Sequence, residues 1–99
     1  MALWLPVIAS FRDRHTRRLF GRVPGGRWGD AVERAALRKL RMLDAATGLE
    51  DLRAPPANRL EKLGGDRAGQ WSIRVNAQWR VCFRWEAGMG HDVELVDYH

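Results

Sequence analysis

The sequence predicts a small α+β domain, with helices in its N-terminal half and a mainly antiparallel, twisted sheet in its C-terminal half. Two observations carry this prediction. Apolar residues recur at spacings of three and four before Gly48, and they alternate with polar residues from Trp71 onward. The 99 residues, 45% of them apolar, provide enough material for one compact core. We therefore expect a single domain at residues 7–99 after an N-terminal extension at residues 1–6, with two helices packed on four to five strands.

The N-terminal half is predicted to contain one extended segment and two helices. Val7–Phe11 is predicted to form a first strand. Arg14–Phe20 is predicted to be a short helix that Gly21 ends. Asp30–Ala46 is the main predicted helix, and Gly48 stands where a helix cap needs a positive φ. One face of this helix is apolar through Val32, Ala36, Leu40 and Leu43.

The sheet half begins after Pro55-Pro56, which forces an extended connection. Asn58–Leu63 is predicted to be a strand or a strand-like segment, ended by Gly64-Gly65-Asp66. The clean alternation that follows predicts two strands, which begin at Trp71 and at Trp79.

The loop between these two strands decides which face is apolar, because a slip of one residue exchanges the faces. A two-residue loop at Asn76-Ala77 would set Arg80 opposite the core residue Ile73. The three-residue loop Asn76-Ala77-Gln78 gives an apolar face instead, with the pairs Val75–Trp79, Ile73–Val81 and Trp71–Phe83. We therefore predict this loop, and a second face that carries Arg74, Arg80 and Arg84.

The last strand is predicted to bring the chain end to this second face. His91–Asp97 would fold back on the preceding strand through a turn at Gly88-Met89-Gly90. Pairing Val93 with Trp85 would place Tyr98 across from Arg80, and a slip of one residue would place Asp97 there. In either register, we expect the C-terminus beside Arg80.

Charge and cysteine content narrow the class of partner. The chain has 17 Lys and Arg against 12 Asp and Glu, which gives a formal net charge of +5. This charge favours polyanionic partners by raising their local concentration, although ordinary solubility is an alternative reason for it. The single cysteine, Cys82, cannot form an internal disulfide, and the apolar stretch near the N-terminus is too short to cross a bilayer. We expect a cytoplasmic protein with no membrane partner.

The terminal Asp97-Tyr98-His99 brings a carboxylate, a phenol and an imidazole together. RNA cleavage without a metal needs a base for the 2′-OH, positive charge at the phosphorane and an acid for the leaving oxygen. No cluster of carboxylates and histidines has the spacing of a metal site, so the charge would come from arginine, and the planar fork of Arg80 suits phosphate. His99 is the natural proton carrier near neutral pH. The alternative interpretations are that Arg80 is an arginine on a solvated strand face and that His99 belongs to a frayed chain end.

These residues resemble a known family. The similarity lies in the stretch from Leu60 to Phe83, which includes Gly65-Asp66-Arg67 and Trp79-Arg80, and in the terminal tripeptide. Both resemble the HigB-type toxins of plasmid-maintenance toxin–antitoxin systems, which belong to the RelE-like superfamily. The resemblance implies a small RelE-like fold and an mRNA endoribonuclease that acts without a cofactor in the ribosomal A site. It also implies a HigA-type helix-turn-helix antitoxin, through which alone the toxin would reach operator DNA.

The resemblance and the chemistry together select candidate residues. The candidate catalytic residues are Arg80, His99, Tyr98, Asp97 and Glu61, and the candidate RNA-binding residues are Lys62, Arg67, Arg74 and Arg84. Glu61 stands where some relatives have histidine, so the proton acceptor stays open between Glu61 and His99, and Glu61 also fits the outward side of a strand. The alternative function is a non-catalytic nucleic-acid or ribosome-binding module that acts with its antitoxin on operator DNA.

Overall fold

A computed structural model describes residues 6–23 and 26–97 of the chain. Within these residues the helices are α1 (Arg14–Phe20), α2 (Asp30–Asp44) and α3 (Leu49–Arg53), and the strands are β1 (Glu61–Lys62), β2 (Trp71–Arg74), β3 (Trp79–Glu86) and β4 (Met89–Asp97). The strands form one sheet in the order β1-β2-β3-β4, with antiparallel neighbours throughout the described part. The predicted α+β class is confirmed.

The two predicted helices form where the sequence placed them. Asp13 caps α1, because its Oδ1 accepts a hydrogen bond from the backbone N–H of Thr16 at 3.1 Å. The helix α2 begins at Asp30 as predicted and ends at Asp44, two residues before the predicted end at Ala46.

The predicted positive φ at Gly48 is wrong. Gly48 is extended, with φ −173°, and it precedes the unpredicted helix α3. Asp51 stabilises this start, since its Oδ2 accepts hydrogen bonds from the backbone N–H and the hydroxyl of Thr47, both at 2.7 Å. A five-residue helix is too short to show the periodicity that reveals longer ones.

The core lies between α2 and one face of the sheet. The apolar face of α2 contributes Ala36, Leu40 and Leu43, and the sheet contributes Ile73, Val81, Phe83, Val93 and Leu95. Burial of each large apolar side chain stabilises the fold by about 1.5–3 kcal/mol. The opposite face of the sheet is polar and carries the candidate site.

The N-terminal segment is attached to both layers but forms no regular strand within the described residues. Ile8 and Phe11 make isolated parallel bridges to Gly90 and Val93, in place of the predicted strand at Val7–Phe11. The buried Asp44 holds the segment at the end of α2, because its Oδ1 accepts the N–H groups of Val7 and Ile8 at 3.0 and 2.9 Å. Across the described ranges, no helix has the length and apolar character needed to span a bilayer.

The predicted pairing of β2 with β3 is confirmed. Ile73 pairs with Val81, Trp71 pairs with Phe83, and the N–H of Val75 donates to the carbonyl of Trp79 at 2.9 Å. Asn76 shapes the loop, since its Oδ1 accepts the N–H groups of Gln78 and Trp79, both at 2.8 Å. The strand predicted at Asn58–Leu63 is reduced to β1, because Pro56–Asn58 forms a 3-10 turn.

The predicted register of β4 is wrong. The turn consists of Ala87 and Gly88, both with positive φ (54° and 75°), so Glu86 already pairs with Met89. An irregularity between Cys82 and Arg84 then shifts the pairing again. As a result, Arg80 pairs with Val96 and not with Tyr98 or Asp97, and Asp97 pairs with Trp79.

Candidate active site

Arg80 lies in β3 on the polar face of the sheet and is only 8% exposed. Its Nε donates to the hydroxyl of Ser72 at 2.7 Å. Its Nη2 donates to the carbonyl oxygens of Arg59 and Ser72 at 2.5 and 3.4 Å. These neutral acceptors fix the plane of the guanidinium and leave its positive charge intact.

The carbonyl of Arg59 reaches Arg80 because of an unusual backbone conformation. Arg59 follows the Pro56–Asn58 turn and has φ 43°, in the left-handed region that residues other than glycine rarely adopt. The buried Asn58 supports this turn, because its Nδ2 donates to the carbonyl of Leu52 at 3.0 Å and its Oδ1 accepts from Lys39 Nζ at 2.6 Å. Burial lowers the pKa of Lys39. The hydrogen bonds of Asn58 therefore stabilise the turn that precedes the strained residue Arg59.

A polar cleft of about 330 Å³ opens above Arg80. It is lined by Arg59, Glu61, Arg74, Asn76, Ala77 and Arg80. Three guanidinium groups against one carboxylate make the cleft suited to a phosphate group, which accepts hydrogen bonds from arginine in pairs.

Glu61 lies at the side of this cleft. Its Oε2 is 3.9 Å from Arg80 Nη2, at the outer limit of an ion pair, and its side chain is 51% exposed. The strand β1 places it there, because Glu61 pairs with Ser72 and therefore projects from the same face. A carboxylate that is both near the buried cation and open to solvent can meet a substrate held by Arg80.

The candidate RNA-binding residues occupy different places. Arg74 pairs with Arg80 across the two strands and lines the cleft, with its Nε donating to the carbonyl of Asn76 at 3.1 Å. Lys62 is exposed on β1, at the sheet edge next to Glu61. Arg74 can contact a nucleic-acid backbone that enters the cleft. Lys62 pairs with Trp71 and therefore projects from the opposite face of the sheet, so its binding to RNA stays a prediction.

Arg67 and Arg84 form ion pairs with carboxylates, and neither is among the described residues that line the cleft. Arg67 donates to Glu94 Oε1 and to Gln70 Oε1, both at 3.1 Å. Arg84 donates to Asp92 at 2.9 Å and to Glu86 at 2.6 Å. Their binding to RNA stays a prediction, and it would require these ion pairs to share or release the guanidinium groups.

The C-terminal candidates are described only as far as Asp97. Asp97 lies opposite Trp79, on the face that Arg80 does not share, and its Oδ2 accepts from Gln78 Nε2 at 2.9 Å. Tyr98 and His99 lie outside the described residues, so their roles stay predictions. The described chain ends one residue beyond Val96, the partner of Arg80.

Cys82 lies on the polar face beneath these residues and is completely buried. Burial raises the pKa of its thiol to about 11, although Arg67 and Arg80 act in the opposite direction. The thiol is therefore neutral at physiological pH and acts as a small packing group. Among the described residues, no group of three or more His, Cys, Asp or Glu side chains could hold a metal ion.

Sequence reasoning did not identify Ser72, Arg59 and Asn76 as parts of the site. Ser72 had a usable signal, because a small hydroxyl alternates onto the same face as Arg74 and Arg80. Arg59 contributes a backbone carbonyl, which no side-chain pattern reveals.

Comparison with known proteins gives consistent matches. Residues 9–99 match the family described as the RelE-like toxin of type II toxin–antitoxin system HigB. Toxin HigB-1 of Vibrio cholerae serotype O1 is 51% identical over 65 residues, which are 66% of this chain and 68% of that protein. Endoribonuclease HigB of Proteus vulgaris is 35% identical over 94 residues, which are 94% of this chain and 100% of that protein.

A solved structure shows a similar fold. A chain of the YoeB–YefM complex from Staphylococcus aureus superposes with a TM-score of 0.53, over 93% of this chain and 97% of that chain. At 14% sequence identity, this likeness supports the fold alone.

Proposed function

This chain belongs to the HigB family of RelE-like toxins of type II toxin–antitoxin systems, and from that membership we propose that it is an endoribonuclease that stops translation by cutting mRNA in the ribosomal A site. The relative from Proteus vulgaris, which aligns with 94% of the chain, is named an endoribonuclease. The proposed antitoxin is a HigA-type helix-turn-helix protein, and the toxin reaches operator DNA only within their complex.

The observation that carries the proposal is the immobilised guanidinium of Arg80 beneath an open, arginine-lined cleft that is large enough to admit a phosphate group. During cleavage, negative charge grows on the phosphate oxygens as the 2′-oxygen attacks. A cation already fixed in place stabilises that charge without having to reorganise. Loss of one fixed donor of this kind typically costs about 10²–10³-fold in rate.

The proposed reaction needs no metal ion. A base removes the 2′-OH proton, the 2′-oxygen bonds to phosphorus, and the bond from phosphorus to the 5′-oxygen breaks as an acid protonates that oxygen. The products are a 2′,3′-cyclic phosphate and a 5′-hydroxyl end. Glu61 and His99 are the proposed proton carriers, and each such group contributes roughly 10²–10⁴-fold. Tyr98 is proposed to stack on a base or bind the phosphate, and Asp97 to orient the chain end.

Arg74 and Lys62 are proposed to position the RNA backbone from the cleft and from the sheet edge. Arg67 and Arg84 are proposed as outer phosphate contacts that act through partial release of their carboxylate partners. Contacts of this class set the register of the strand and carry little sequence information.

Primer extension on transcripts after induction tests the proposal. The wild-type chain should produce new RNA ends at codon positions, and Arg80→Ala and His99→Ala should remove them. Arg53→Ala is the matched control, because it removes an exposed arginine on α3 that does not line the cleft. Cell killing without new RNA ends would favour the non-catalytic binding module. Undiminished cleavage by both variants would refute this active site.

A further inference from the structure

A second basic surface lies on the helical side of the molecule. Two adjoining depressions of about 270 and 350 Å³ share Arg22, Arg34 and Leu37 as lining residues. We call their union the helical arginine groove. Its lining residues are Arg22, Val23, Asp30, Glu33, Arg34, Leu37, Arg38 and Arg41. Because α2 packs on the core face of the sheet, the outward side of α2 and the Arg80 cleft lie on opposite sides of the molecule.

The groove follows the helical repeat of α2. Arg34, Leu37, Arg38 and Arg41 succeed one another at spacings of three, one and three, which places them on one face of the helix. The inner face, with Leu40 and Leu43, is buried in the core. Like charges at this spacing repel one another, so the row of arginines does not stabilise the free helix.

The arginines of the groove differ from Arg67 and Arg84 in their ion pairing within the described part of the chain. Arg22, Arg34, Arg38 and Arg41 form no ion pair with any carboxylate of residues 6–23 and 26–97. Arg67 and Arg84, by contrast, are each held by carboxylates. Four arginines outnumber the two acidic residues of the groove, Asp30 and Glu33, so the groove carries a net positive charge and is separate from the cleft.

We propose that the helical arginine groove binds an acidic amphipathic segment of a partner polypeptide, which in a toxin–antitoxin pair is the antitoxin. Its positive rim complements carboxylates, and its apolar floor complements apolar side chains. That floor consists of Leu37 and of Val23, which is 42% exposed. A helix with one acidic and one apolar stripe satisfies both parts.

The same features disfavour a nucleic-acid strand as the occupant. A phosphate backbone would leave Val23 and Leu37 without apolar contacts, whereas an amphipathic segment covers them and can direct its carboxylates away from Asp30 and Glu33. The proposal concerns a different surface from the cleft, so it does not depend on RNA cleavage. A partner in the groove would leave the cleft on the other side uncovered.

The test uses a synthetic peptide of about 16 residues, long enough to form a helix, with glutamate and leucine at helical spacings. Binding to the full chain is measured by fluorescence anisotropy, and the contact surface is mapped by amide chemical shifts. A scrambled peptide of the same composition and a single-stranded RNA are the matched probes. We expect the amphipathic peptide to bind, to shift the amides of α2 and of residues 21–23, and to weaken as salt screens the charges.

Variants assign the binding to the groove. Arg34→Gln, Arg38→Gln and Arg41→Gln together should weaken binding by roughly tenfold or more. Arg22→Gly removes a charge where φ is 59°, so it relieves the backbone and keeps the fold while weakening binding. Arg53→Gln should leave binding unchanged.

Several results would overturn the proposal. The scrambled peptide could bind as tightly as the amphipathic one, or Arg53→Gln could weaken binding as much as the groove variants do. RNA could bind more tightly than the peptide and shift the same amides, or the amphipathic peptide could fail to bind. The cleavage assay keeps this failure distinct from that of the proposed function, because the groove variants should cut RNA at the wild-type rate.

Discussion

At the scale of residues, the proposed active site depends on how Arg80 is held. Its guanidinium rests on the hydroxyl of Ser72 and on the carbonyl of Arg59, both neutral, so the cation keeps its charge for a substrate. The carboxylate of Glu61 is close but stays half exposed. This combination of a fixed cation and an accessible carboxylate is what general acid–base cleavage of a phosphodiester requires.

Ser72→Ala tests the positioning of Arg80. The variant leaves Nε of a buried guanidinium without its acceptor, so we expect a loss of about 1–3 kcal/mol in the free energy of unfolding. Turnover should fall by roughly tenfold, because the cation loses its fixed geometry. Urea unfolding and single-turnover cleavage measure the two effects. Ser10→Ala is the control, since Ser10 accepts the N–H of Asp92 away from the cleft. If both variants cleaved at the same rate, Ser72 would have no positioning role.

Cys82 should make stability fall in alkaline solution. Its pKa is raised from 9.0 to about 11 by burial, so the unfolded chain loses the thiol proton first as pH rises. The contribution of Cys82 to the free energy of unfolding is fully present below pH 9 and is lost between pH 9 and about 11. The loss is on the order of 2 kcal/mol. Urea unfolding of wild type and of Cys82→Ala across this range measures the difference. A constant difference between the two chains would contradict the prediction.

At the scale of elements, the hairpins show what sequence patterns can and cannot specify. The pairing of β2 with β3 was predictable, because one loop length alone kept Ile73 and Val81 together on an apolar face. The register of β4 was not, because the turn consists of Ala87-Gly88 and not of Gly88-Met89-Gly90, and because alternation does not reveal an irregularity such as that between Cys82 and Arg84. Within the site, Arg80 and Glu61 were predictable from side-chain chemistry, whereas the carbonyl of Arg59 depends on a backbone angle.

The β3–β4 turn offers a test at this scale. Ala87 has φ 54°, which strains a residue with a Cβ, so Ala87→Gly should raise the free energy of unfolding by about 0.5–1 kcal/mol. Ala77→Gly is the matched control, because Ala77 is also exposed in a hairpin loop but has no positive φ. Ala77→Gly should lower the free energy of unfolding, because glycine raises the conformational entropy of the unfolded chain. Thermal unfolding compares the two, and equal effects would contradict the assigned turn geometry.

At the scale of the whole molecule, the sheet separates two basic surfaces. Helix α2 covers the core face and turns its arginines outward, and the opposite face carries the cleft. The net charge of +5 was evident from composition, but its division between two faces follows only from the fold. This division allows one side to act on RNA while the other binds a partner.

The most direct test of the central claim is cleavage of a defined mRNA in a reconstituted translation reaction, with the new 3′ ends analysed chemically. We predict that the wild-type chain cuts ribosome-bound mRNA and leaves a 2′,3′-cyclic phosphate. Arg80→Ala, confirmed as folded by circular dichroism, should cut at least about 100-fold more slowly. Cleavage by a folded Arg80→Ala chain at the wild-type rate would contradict the account.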